Sequence, residues 1–211
     1  MAVTTSNIVV GEATVKTGVS NITMTNSDFD SLTDVGATQG GLEISWEPDM
    51  VDIEIDQYGD AAKVIQSKVK VMVKTTLAEG TLNNLATAWS YDNTDGGADI
   101  KANLAGSGAN TKTFLFGSQS VYPFEYALQV TGNAPGSTAS VTKTRKFNTK
   151  RAVSMTTSMI SMKRAEATVF EVSFRILPVT EDTGYEYGKI IDQQLSLIHI
   201  SEPTRRYAIS Y

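Results

Sequence analysis

The chain has 211 residues, 41% of them hydrophobic and 19% charged, with a formal net charge of −5, which describes a soluble globular protein the size of one ordinary domain. It contains no cysteine, which excludes disulfides and thiolate chemistry, and it has no run of about 18 apolar residues of the kind a membrane helix needs. The acidic balance argues against wrapping nucleic acid, which requires a basic footprint, yet it suits a surface past which nucleic acid slides without sticking.

Met1 to Ser6 lack the basic and apolar regions of a signal peptide, so the expected compartment is a cytoplasm unless a particle carries the protein out. Asn7 to Thr17 contain Ile8, Val9, Val10, Ala13 and Val15 and predict a first strand. From Gly18 to Gly40 the pattern dissolves into Ser, Thr, Asn, Asp and Gly. Loops longer than about 12–15 residues in a compact domain are usually functional or disordered. Phe29, Leu32 and Val35 give this one something to bury, so it is expected to be an arm that orders against a neighbouring subunit. Leu42, Ile44 and Trp46 then alternate with Glu43, Ser45 and Glu47 until Pro48, a residue that marks an edge, bend or bulge in a strand.

Met50 to Asp56 and Ser67 to Lys74 are the most regular stretches. Val51, Ile53 and Ile55 alternate with Asp52, Glu54 and Asp56; Val69, Val71 and Val73 alternate with Lys68, Lys70 and Lys74. Period-2 alternation predicts two half-buried strands, and the turn-capable Gln57 to Ala62 predicts that they pair as an antiparallel hairpin. Setting Glu54 opposite Lys68 and Asp52 opposite Lys70 makes one face a ladder of opposite charges and the other an aliphatic core surface. Each such pair contributes only about 0.2–1 kcal/mol, so the ladder sets register rather than stability.

Thr76-Leu77-Ala78-Glu79 has the form of a capping box. Leu82, Leu85, Ala86 and Trp89 follow at helical spacing, predicting a short amphipathic helix over 77–89 with Trp89 in the core. Tyr91 to Lys112 is irregular; its glycines follow a helix and lack the GK[ST] signature of a phosphate loop. Further strands are expected at 113–117, 123–131, 137–148, 152–162 and 165–177, with Asn133 to Gly136 a turn and Pro178 a stop. Lys143, Arg145, Lys146, Lys150 and Arg151 are the local basic cluster, read as a solvated strand end or subunit contact rather than a nucleic-acid site. The tail 181–185 is expected to pack loosely. The whole reads as a mainly β protein, an antiparallel sandwich or barrel with one short flanking α-helix.

Residues 195–205, Leu195 to Arg205, resemble a translated sequencing-library transposon adapter over eleven consecutive positions. The expected domain is therefore 1–194, with 195–211 an adapter-derived artefact. The single histidine, His199, lies in that segment. With neither His nor Cys in 1–194, an enzyme would depend on carboxylate pairs or Ser–Lys. Glu54 and Asp56 sit about 7 Å apart along a strand, but facing lysines would hold both ionised, so neither is tuned as a general acid. No calcium-loop spacing is present. No catalytic, metal or cofactor site is expected.

The Val10-Gly11-Glu12-Ala13-Thr14-Val15 stretch, the Gly36-Ala37-Thr38-Gln39-Gly40-Gly41-Leu42-Glu43-Ile44 run, the acidic strand ending Asp56-Gln57-Tyr58-Gly59, and Thr76-Leu77-Ala78-Glu79 before Leu82 and Leu85 resemble, in this order, the major tail tube protein of long-tailed bacteriophages. The resemblance spans most of 7–190. It implies a β-sandwich with one helix, six copies per ring and rings stacked into a tube whose inner sheets join around a channel for the genome. It also implies tape-measure and terminator proteins as neighbours, DNA in passage, no membrane, and a place in the virion tail after assembly in the host cytoplasm. Asp52, Glu54 and Asp56 are then expected to face the lumen or its rim, and Phe29, Leu32 and Val35 to contact other subunits. A carbohydrate- or receptor-binding β-sandwich on a virion or cell surface is the alternative; it calls for aromatics clustered at one loop end, and Tyr91, Tyr122, Tyr185 and Tyr187 are scattered. Truncation after Gln194 is expected to leave the thermal midpoint unchanged; a large fall would make residues 195–211 structural.

Overall fold

The structure is a computed structural model that describes residues 11–20, 25–54, 56, 60–117, 122–137, 141–157, 160, 164 and 167–193. The adapter-like segment and residues 7–10 of the expected N-terminal strand lie outside these residues. In chain order the elements are β1 (Thr14–Val19), α1 (Asn26–Asp30), β2 (Thr33–Asp34), β3 (Thr38–Glu54), β4 (Ala61–Leu77), α2 (Leu82–Ala88), β5 (Ile100–Ala102), β6 (Lys112–Phe114), β7 (Glu125–Asn133), β8 (Thr144–Ser154), β9 (Phe170–Ile176) and β10 (Lys189–Asp192). The fold is the mainly β, antiparallel class that the alternating pattern predicts, with a short helix against the sheet.

One sheet runs β2-β1-β7-β8-β9-β4-β3, with β10 added on β8, and a second small sheet pairs β5 with β6. Its two ends, β2 and β3, are consecutive in the chain and separated only by residues 35–37. Laid flat, six strand spacings of about 4.8 Å would hold those ends about 29 Å apart. The link spans at most about 14 Å fully extended. The sheet therefore has to curl until its ends approach each other, and its inner face becomes an enclosed core. That core holds Val15 of β1, Val71, Val73 and Leu77 of β4, Tyr126, Leu128 and Val130 of β7, Phe147 and Ala152 of β8, and Phe170, Val172, Phe174 and Ile176 of β9, with Leu85 and Ala88 of α2 covering it.

The link is stapled. Val35 N–H donates to Val15 O at 3.0 Å, and Ala78 N–H to Ala37 O at 2.8 Å. The buried Asn84 amide donates to Val35 O at 2.8 Å and Glu79 O at 3.0 Å, and Glu79 Oε1 accepts from Ala37 N–H. Gly36 sits between them at φ +80°, where a Cβ would fall 2.1 Å from the Glu79 carboxylate, so a side chain there would strain the backbone and push that carboxylate off Ala37 N–H.

Several boundaries differ from expectation. The helix begins at Leu82, not 77. Thr81 caps it by accepting from Asn84 N–H at 3.1 Å, while Thr76 and Leu77 stay in β4, paired with Glu171 and Phe170. The apparent capping box is overridden because Leu77 is a fully buried core side chain. The strands expected at 137–148 and 152–162 are one, β8, whose first half pairs with β10 and whose end pairs with β9. The tail expected to pack loosely carries Asp182, buried and paired with Lys150 at 2.7 Å, and leads into β10. Residues 25–40 of the expected arm and the 91–112 loop make contacts within the subunit, and residues 21–24 lie outside the described residues. In the latter, Asp92 accepts from the N–H groups of Thr94 and Ala98 at 2.9 Å each, and β5 and β6 close the hairpin.

Burial pushes the Asp92 carboxyl up, but the hydrogen bonds from Ala98 and Thr94 outweigh it and leave its pKa below the ordinary value. A depressed carboxylate stabilises the fold above its unfolded pKa, about 3.9; that contribution is lost as pH falls through the lower folded value. Asp92→Asn is expected to flatten this part of the acid dependence, measured by denaturant unfolding between neutral and strongly acidic pH. Asn84→Ala strands two carbonyls of the staple and is expected to cost about 1–3 kcal/mol by the same assay; a change near zero would show that the link does not hold the sheet closed.

Candidate assembly surface

The longest strands of the fold, β3 and β4, pair over 15 cross-strand positions from Thr38↔Leu77 to Glu54↔Ala61. β9 covers the outer edge of β4 only from Val71 to Leu77. Beyond that point the two strands project as a ribbon with no other strand against them among the described residues. A two-stranded ribbon is at best marginally stable in water, and this one leaves large apolar side chains open. Trp46 is 59% exposed, Val64 56% and Met50 53%, with Val51, Ile53 and Ile65 also exposed. Tyr187 anchors the base, edge-on to Trp46 at 6.0 Å.

The register corrects the expected ladder. Lys68 lies opposite Asp49 and Lys70 opposite Glu47, while Asp52 faces Val64 and Glu54 faces Ala61. The cause is an irregularity between Asp49 and Met50, where Ser67 of β4 has no partner on β3, together with a turn that closes earlier than the regular pattern implies. An extra residue in one strand is a bulge; it bends the ribbon and shifts side-chain parity. Near the base, Ile44, Trp46 and Pro48 oppose Val73, Val71 and Val69. At the tip, Val51 opposes Ile65 and Ile53 opposes Lys63. By strand parity this second group lies on the face that carries Glu47, Asp49, Lys68 and Lys70 lower down. The apolar stripe therefore changes sides along the ribbon. The signal was present in the sequence: apolar positions are even up to Trp46 and odd from Val51.

Asp52 and Glu54 are exposed on the ribbon and Asp56 is exposed in its turn, so all three stand together at the tip. The lysines expected to face Asp52 and Glu54 lie further down. Glu47, by contrast, is hydrogen-bonded by Lys70, which holds its carboxyl below the usual range. Phe29 and Val35 are corrected more strongly. They are 3% and 5% exposed within the single chain, and Leu32 is half-buried with its side chain over Gly18. Short-range order supplies the reason: Asp28 receives the Thr25 N–H to start α1, which turns Phe29 inward. Their apolar surface is used by their own subunit, which moves the candidate contact from the arm to the ribbon.

Four of the five members of the basic cluster are paired inside the subunit, Lys143 being the exception among the ion pairs of the described residues. Arg145 pairs with Asp192 and Arg151 with Glu125, each at 2.6 Å, Lys150 pairs with Asp182 and Lys146 with Asp30. Its cations tie β8 to β7, β10 and α1 instead of offering a phosphate footprint. An aromatic group not expected from sequence gathers at the end of α2. Trp89 and Phe114 meet at 6.0 Å, Trp89 and Phe116 at 5.7 Å, and Tyr91 and Phe114 at 5.4 Å. An open groove of about 500 Å³ lies along Gln39 to Glu43, Lys74 to Thr76 and Glu171 to Ser173; it is lined by hydroxyls, amides and mixed charges. Among the described residues no group of three or more His, Cys, Asp or Glu could hold a metal ion, and no helix is long and apolar enough to cross a membrane. No model of a known protein family matches the chain, and no curated protein matches it significantly.

Proposed function

We propose that the protein is a self-assembling structural subunit of a phage-type tail tube, with six copies per ring and rings stacked around a channel that conducts the genome. The observation that carries this reading is the projecting ribbon, with unpaired edges and apolar side chains exposed on both faces. A lone subunit leaves that surface in water as a site for indiscriminate strand pairing. Closure with identical copies removes both liabilities. The segments of sequence that resemble the tail tube family supply the form of the assembly, and tape-measure and terminator proteins are its proposed neighbours. Within this reading the protein is not an enzyme and works in the virion tail. Negative-stain microscopy of the purified protein is expected to show rings or tubes; monodisperse single subunits at every concentration would refute it.

The tip carboxylates Asp52, Glu54 and Asp56 are proposed to line the lumen or its rim, where negative potential repels phosphate. Their exposure, and the absence of lysines opposite Asp52 and Glu54, support this. Changing them to Asn, Gln and Asn is expected to leave folding and tubes intact, since isolated surface charges contribute little to stability, but to slow genome ejection. Unchanged ejection from particles with intact mutant tubes would remove the lumen assignment.

The aromatic group around Trp89 favours a second reading, a carbohydrate- or receptor-binding sandwich. Its rings meet edge-on or tilted and pack against one another, and Phe116 is the member most open to solvent, at 69%. That leaves little flat face for a sugar. Monodisperse particles that bind a glycan through Phe116 would favour it.

A further inference from the structure

The ribbon is electrically sorted by strand. β3 carries Glu43, Glu47, Asp49, Asp52 and Glu54 and no base; β4 carries Lys63, Lys68, Lys70 and Lys74 and no acid. Among the described residues the ribbon makes one ion pair, Lys70 with Glu47 at 3.3 Å, so most of these charges are unspent within the subunit. Both outer edges of the projecting part are also unpaired, that of β3 along its length and that of β4 up to Lys70.

We propose that copies of the chain join head to tail through the ribbon, the acidic outer edge of β3 in one copy lying against the lysine-bearing outer edge of β4 in the next. This rests on the homo-oligomer reading above and adds which edge meets which, and why. A two-fold joint would place β3 against β3 or β4 against β4, setting carboxylates against carboxylates or lysines against lysines, which is unfavourable across strands. The head-to-tail joint instead sets carboxylates beside lysines in the lower part of the ribbon, at the level of Glu47 with Lys70 and Asp49 with Lys68. It also fits the backbone. Copies related by rotation hold their ribbons pointing the same way, so β3 of one runs antiparallel to β4 of the next and the up–down alternation of the ribbon continues across the joint. With ribbons level, Glu47 and Asp49 of one copy come beside Lys70 and Lys68 of the next. Because the two edges differ, each joint leaves an acidic edge free at one end and a basic edge at the other, and the contact repeats until a ring closes.

Charge exchange tests this without breaking the ribbon. A four-residue swap (Glu47→Lys, Asp49→Lys, Lys68→Glu, Lys70→Glu) keeps the cross-strand pairs within each subunit and reverses both edges. The swapped protein is expected to assemble on its own, as wild type does, and to exclude wild type when differently labelled subunits are mixed, with like-with-like contacts favoured by about tenfold or more. The half-swaps E47K/D49K and K68E/K70E are each expected to assemble poorly alone and to assemble together, in alternation. Raising salt should weaken the preference, since exposed charges are screened. Free mixing of swapped and wild-type subunits inside intact assemblies would overturn the joint while leaving the assembly reading standing. A wild type that stays monomeric at every salt concentration would overturn both.

Discussion

The constraint on which the rest depends is the shortness of the link between β2 and β3. Three residues tie the two ends of a seven-strand path together, and no flat sheet can satisfy them. Curling brings β1, β4, β7, β8 and β9 around one core and gives α2 a face to cover. The link survives because its three N–H groups and the carbonyls of Val35 and Ala37 have partners. Asn84, buried inside the curl, donates to two carbonyls, and Gly36 takes a backbone conformation that also clears the Glu79 carboxylate. A buried amide with both donors used adds more than its own hydrogen bonds, since leaving those carbonyls bare would cost the full desolvation penalty.

Much of this was legible in the sequence, and the remainder failed for identifiable reasons. The alternation in Phe170 to Ile176 marks a strand with one buried face, as it is, while Val69 to Val73 is a strand whose upper part, Val71 to Val73, is buried on both faces. The hairpin itself was legible, but its register was not. Charge pairing can be satisfied at several offsets, and the bulge at Ser67 selects one that side-chain periodicity alone cannot distinguish. The helix cap was misassigned because Thr76 and Thr81 both offer a hydroxyl, and only the burial of Leu77 decides between them. Phe29, Leu32 and Val35 read as an arm because nothing local in 18–40 announces that Asp28 starts a helical turn or that Val35 pairs with Val15. The basic cluster was visible, but its partners Asp30, Glu125, Asp182 and Asp192 come from four separate segments. Long-range pairing of that kind leaves no periodic trace.

Electrostatics is used in two different ways in this chain. On β8 the charges are paired one to one within the subunit, and Lys150 and Asp182 are partly withdrawn from water. Such pairs fix which strands lie side by side more than they add stability. On the ribbon the signs are separated onto two strands and kept exposed. Exposed single pairs are worth little for stability, but a row of one sign opposite a row of the other is a strong discriminator between partners. The same residue types thus specify the inside of the subunit in one place and are available to specify its neighbours in another.

The two features are connected. Curling brings the ends of the sheet together at β2 and the start of β3, and β9 takes the base of β4. Among the described residues the longest open edges are those of the ribbon, because β3 and β4 are longer than any strand beside them and overrun the closed part of the fold. An ordinary soluble domain would shorten such strands or shield them with inward charges. Here they are kept long, given apolar side chains on both faces and furnished with opposite charge on opposite edges. A bulge at Ser67 also changes the side on which the apolar stripe lies, so the base and the tip of the ribbon present hydrophobic surface in different directions. A single partner against one face could cover only one of those surfaces. Neighbours on both sides, each pairing an edge and covering part of a face, account for the length, the exposed apolar residues and the sorted charge together.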